Sequence, residues 1–70
     1  MDMPDDASAL FLAGTARFQL CDLPAAEDLL QRAAALAPDA AEVHSNLGLV
    51  QGTRGYHEAA VVALRRALAL

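Results

Sequence analysis

Nowhere along the 70 residues do apolar and polar side chains alternate with a period of two, so the pattern offers no strand. It offers four helices. The first is expected over residues 5 to 20, because the carboxylates of Asp5 and Asp6 suit the unpaired N–H groups of a helix start and good helix formers follow as far as Leu20. That helix is apolar nearly all round, through Leu10, Phe11, Leu12, Ala13, Ala16, Phe18 and Leu20, as in a helix covered on more than one side. CDLP makes a short turn, and Pro24 fits the first turn of a second helix that AAEDLLQRAAALA fills to Ala37. Pro38 stops that helix. Asp39 is placed to cap a third, AAEVHSNLGLVQGT, with Glu42 as its capping-box partner, and Gly52 and Gly55 weaken and end it. The fourth helix, in HEAAVVALRRALAL, is apolar along a whole side, with Glu58 near its start and Arg65 and Arg66 near its end, each favourable to the macrodipole.

Sliding the chain against itself by 34 residues brings out a repeat. Ala7 falls on Ala41, Gly14 on Gly48, Ala26 on Ala60, Leu30 on Leu64, Arg32 on Arg66, Ala33 on Ala67 and Leu36 on Leu70. Alanine and leucine are abundant here, so the glycine and arginine pairs carry the most weight.

A helix-turn-helix period of this length resembles the tetratricopeptide repeat. Leu10, Ala13 with Gly14, Arg17, Ala26, Leu30, Ala33 and Pro38 fall on its pattern in the first repeat, and His44, Leu47 with Gly48, Gln51, Ala60, Leu64 and Ala67 in the second. The resemblance implies an all-α fold: two helix-turn-helix repeats, four antiparallel helices, stacked as a short α-solenoid. Residues 1–6 are then an acidic tail, 7–40 the first repeat, and 41–70 a second repeat incomplete at its C-terminal end. Small residues at 14, 26, 48 and 60 let paired helices approach closely, while Leu30 and Leu64 fill the space beside them. The departures are at large positions, where His44 replaces a tryptophan and Arg17 and Gln51 replace an aromatic, so contacts there are expected to be thinner. Cys21 falls where the second repeat has Gly55, and a left-handed backbone at that cysteine would cost about 1 kcal/mol.

Charge and composition narrow the function. The net charge is −4 and all five basic residues are arginines, so there is no basic stripe to attract phosphates, and nucleic acid is not an expected ligand. No apolar run reaches the roughly 18 to 20 residues of a membrane span, and no membrane partner is expected. The acidic start MDMPDD and the solitary Cys21 make cytoplasmic residence the expectation. His44 and His57 lack a cysteine or carboxylate at ligand spacing, so no metal and no cofactor is expected. Cys21 beside Asp22 and Leu23 lacks the positive surroundings that activate a thiol, and Glu27 and Asp28 read as solvated helix surface. Catalysis is not expected.

Binding is. In the resembled family the first helices of successive repeats line a concave groove for an extended or helical peptide. Carried over, those positions are Ser8, Phe11, Thr15, Phe18 and Gln19 on the first helix, and Glu42, Ser45, Asn46, Leu49, Gly52 and Thr53 on the third. Phe11, Thr15 and Phe18 share a helix face, either as an apolar anchor for a ligand side chain or as a surface for the N-terminal tail or another subunit. Of the residues that grip a C-terminal carboxylate in one subtype only Asn46 is present, so that clamp is absent. Repeats bury their faces against neighbours and about three are usually needed, whereas two are present here. The expectation is a protein-interaction module that takes a protein or peptide partner and self-associates as a homo-oligomer, with Val61 and Leu68 on the unpartnered face. The alternative is the N-terminal part of a longer repeat array, or a regulatory domain attached to an enzyme.

Overall fold

A computed structural model describes residues 6–70. Among them are four helices and no strand: α1 (Ala7–Gln19), α2 (Leu23–Leu36), α3 (Ala41–Thr53) and α4 (His57–Ala69). Most of the expected acidic tail lies outside the described residues. Its last member, Asp6, belongs to α1 as N-cap, its carboxylate accepting from the Ser8 N–H at 2.9 Å.

Both repeats end their first helix in the same way. Cys21 N–H donates to Phe18 O and Asp22 N–H to Arg17 O; one repeat later Gly55 N–H donates to Gly52 O and Tyr56 N–H to Gln51 O. This is the Schellman arrangement, which needs a left-handed residue just past the helix. Cys21 and Gly55 supply it, at φ 63° and 88°. The cysteine is therefore held where a side chain is unfavourable, as the register implies.

The turn between α2 and α3 departs from expectation. Ala40, not Asp39, is the N-cap of α3, and no side chain caps that helix. Asp39 lies one residue too early, so the box with Glu42 does not form. The turn is closed instead by Ala40 N–H to Ala37 O at 3.1 Å and by the His44 ring, whose Nε2 donates to Pro38 O at 2.8 Å. His44 is 4% exposed, so this bond also satisfies a buried ring nitrogen in the place of a tryptophan. α2 itself ends at Leu36, with Ala37 as its cap.

α1 pairs with α2 and α3 with α4; α3 also lies along α2 and touches α1, whereas α4 packs on α3 alone. The Cα envelope measures 37 × 26 × 13 Å, so every helix is open to solvent on one side. Close approach inside each pair depends on glycine: a Cβ at Gly14 would lie 2.8 Å from Leu30 Cγ, and one at Gly48 2.7 Å from Leu64 Cγ. Ala26, Leu30, Leu47, Val50 and Ala63 form the larger core cluster, and Leu10, Ala33 and Val43 a smaller one. Leu30 and Val50 are the largest fully buried side chains. At about 1.5–3 kcal/mol for a fully buried aliphatic side chain, such a core leaves little surplus over chain entropy.

Candidate interaction surfaces

The face shared by α1 and α3 carries the residues expected to line a groove. Phe11 and Phe18 are half-buried because they pack against this chain's own core, Phe18 on the larger cluster and Phe11 on both. They are thus largely committed to holding the helices together. Asn46 Nδ2 donates to Thr15 Oγ1 at 3.1 Å, which joins the two helices and satisfies both side chains in part. Ser8, Phe11 and Glu42 line a cavity of about 90 Å³ at one end of this face. Ser45 is half-buried, and Gln19, Glu42 and Thr53 are exposed, with Thr53 Oγ1 donating back to Leu49 O at 2.8 Å. Leu49 is the large apolar side chain left freest, 50% exposed. The surface offers hydroxyl and amide groups around aliphatic and aromatic edges, and among the residues named here Glu42 bears the sole charge. It suits a peptide better than an anion.

A second feature was illegible in the sequence. Glu27, which reads there as solvated surface, bridges α2 to α3: Arg54 Nη1 donates to its Oε1 at 2.6 Å, and Gln51 Nε2 and Gln31 Nε2 donate to its Oε2 at 3.2 and 3.1 Å. Its side chain is only 12% exposed, and the Arg54 side chain 25%. The Arg54 guanidinium also stacks 4.7 Å from the centroid of the Tyr56 ring. Gln51, in an aromatic's place, is buried and makes this polar link, while its own Oε1 is buried without a partner. Asp28 behaves as expected, pairing with Arg32 at 3.6 Å in solvent.

On the opposite side α2 and α4 flank a cavity of about 380 Å³ floored by α3, with Gln31, Leu47, Gln51, Val62 and Arg66 on its walls. The outer face of α4 exposes Val61 to 46% and Leu68 to 88%. Cys21 is a free, exposed thiol in the α1–α2 turn. Among the described residues no three histidine, cysteine or acidic side chains gather as metal ligands, and no helix is long and apolar enough to cross a membrane.

No family model and no curated protein sequence matches the chain. Among solved structures it is similar to the crystal structure of MamA, with a TM-score of 0.93 and 34% sequence identity over 96% of its own residues. The chain spans 39% of the MamA chain. Four helices in two like pairs, turned by the same left-handed residue and superimposable on that helical-repeat protein, make this a tetratricopeptide-like helical-repeat fold.

Proposed function

We propose that the chain is a protein-interaction module of the tetratricopeptide type, with repeats over residues 7–40 and 41–70, that receives a peptide or protein on the α1–α3 face and self-associates through α4. The observation that carries the reading is the pairing of a MamA-like fold with two apolar surfaces that no part of the described chain covers: Leu49 beside Thr15 and Asn46, and Val61 with Leu68. Phe11 and Phe18 form the floor of the first surface, and Gln19, Glu42, Ser45 and Thr53 its polar surroundings. Aromatic edges ringed by hydrogen-bonding groups suit a peptide with an apolar anchor.

Selection from a displayed peptide library tests the groove. Binding of selected peptides is expected to fall at least about tenfold, or ~1.4 kcal/mol, on Leu49→Glu and to persist on Val62→Glu, which alters the opposite face. A library that yields no peptide dependent on Leu49 overturns the groove. Because this chain spans 39% of MamA, a second reading is the opening part of a longer repeat array, in which a following repeat covers α4. Appending residues encoded downstream then raises the melting temperature sharply; no gain counts against it.

A further inference from the structure

We infer that self-association is head to tail: the outer face of α4 in one copy receives the outer face of α1 in a second copy, as α2 receives α3 inside the chain. This rests on the self-association proposed above and adds its geometry.

The 34-residue register pairs each residue at an open end with one in the α2–α3 junction. On α3, Val43, Leu47, Val50 and Gln51 are buried, while their counterparts on α1, Ala9, Ala13, Ala16 and Arg17, are exposed. On the other side Leu30 is fully buried and Glu27 and Ala34 are half-buried, whereas Val61 and Leu68 on α4 are exposed and Leu64 is half-buried. Among the described residues there are therefore one closed junction and the two halves of another.

Those halves match each other in polarity. Inside, the rim of the junction is the ion pair of Glu27 with Arg54 at 2.6 Å. In the same register the ends hold Val61 and Leu20. Both members have changed from charged to apolar together, and an apolar group facing either half of the original pair would strand a desolvated charge. Leu20, 72% exposed, is in this register the partner Val61 lacks.

One pair also exchanges sizes. Inside, small Ala34 packs against the cluster that holds the larger Val43. At the ends the large residue is Leu68 and the small one Ala9, so the sides are exchanged at this pair, while Ala13 and Ala16 in the places of Leu47 and Val50 make the contact beside Leu64 thinner. An α4-on-α4 contact lacks this complementarity. It sets Leu68 among large residues and brings Arg65, which flanks Val61 and Leu68 on the same helix, towards its own copy. The head-to-tail register does bring Arg65 near Arg17 of the second copy, in the places of Gln31 and Gln51. Arg17, which would take the place of buried Gln51, has Asp22 at 3.8 Å as a partial counter-charge, and the remaining repulsion is a cost that the apolar contact must outweigh and that added salt relieves.

A contact between two different faces does not use itself up, so assembly continues into an open series or closes into a ring. Sedimentation and light scattering of the full 70-residue chain over a wide concentration range, with circular dichroism to verify folding, provide the test. Wild type is expected to grow beyond a dimer. Leu68→Glu and Ala13→Glu, both at exposed helix positions, each weaken assembly about a hundredfold or more by placing a carboxylate in the contact. Mixed, the two variants form a one-to-one dimer that grows no further, since one intact face remains on each. Leu20→Arg alone weakens assembly, and Leu20→Arg with Val61→Glu restores it by rebuilding the internal ion pair between copies. Assembly that survives Ala13→Glu overturns the head-to-tail geometry and leaves self-association standing. A wild type that stays monomeric at high micromolar concentration overturns self-association itself.

Discussion

Cys21 and Gly55 stand at the same turn of successive repeats, and exchanging their chemistry gives effects of opposite sign. At φ 63° the cysteine adopts a left-handed backbone that costs a residue with a Cβ about 1–2 kcal/mol. Glycine removes this strain but loses about 0.4–1 kcal/mol through its greater freedom in the unfolded chain. Cys21→Gly is therefore expected to stabilise the fold by about 0.5–1 kcal/mol. The cysteine is exposed, so little packing is lost. At Gly55, where φ is 88°, a Cβ would meet no atom within 4 Å, so Gly55→Ala isolates the backbone effect. It is expected to destabilise by about the same 0.5–1 kcal/mol. In a domain of this size these changes move the melting midpoint by about 2–8 °C, up for Cys21→Gly and down for Gly55→Ala. The assay is thermal unfolding followed by circular dichroism, with reductant present. Protein concentration must be fixed, because assembly raises the apparent midpoint. A fall on Cys21→Gly or a rise on Gly55→Ala refutes the argument from backbone strain.

Other expectations follow from the packing. Gly14→Ala drives a Cβ to 2.8 Å from Leu30 Cγ, and because Leu30 is fully enclosed the overpacking outweighs the gain in helix propensity, for a net loss of about 1–2 kcal/mol in urea unfolding. Gly48→Ala meets Leu64 Cγ at 2.7 Å and the backbone carbonyl of Ala60 at 3.2 Å, so a comparable loss is expected; a gain in stability at either glycine contradicts the packing. Glu27→Ala strands Arg54 and Gln51 at the α2–α3 junction and is expected to cost about 2–3 kcal/mol, against no more than about 0.5 kcal/mol for the solvated neighbour Asp28→Ala. Equal effects from the two acids would mean that the bridge contributes nothing.

The two open faces and the thin core have one origin. In a stacked helical repeat each unit hides only part of its apolar surface within itself, and the remainder waits for a neighbour. Within this chain α3 is that neighbour for α2; α4 has none among the described residues. The proposed peptide contact on the α1–α3 face and the proposed contact of a second copy on α4 are therefore separable, and Leu49→Glu and Leu68→Glu should each affect one and spare the other.

How far the sequence reached can be judged residue by residue. Four helices, the turn at Cys21, the proline stop after α2 and the close approach at Gly14 and Gly48 were all legible. Each depends on interactions within a few residues, or on a register that repeats every 34, and local sequence states these directly. Cap placement was legible only to within a residue: Asp39 has the right chemistry for a helix start, but the turn set by Ala37 and Pro38 put Ala40 there. The roles of Glu27, Gln51, Phe11 and Phe18 were not legible at all. A carboxylate on a helix reads as surface until it is known which side of α2 meets α3, and a phenylalanine on a groove-facing position reads as an anchor until its depth is known. Those outcomes depend on the rotation and distance between helices remote in sequence. The repeat and its turns are local and periodic, so they are determined along the chain itself; only the tertiary structure, by setting how α3 lies on α2, decided which polar residues became the seam and which apolar faces were left open.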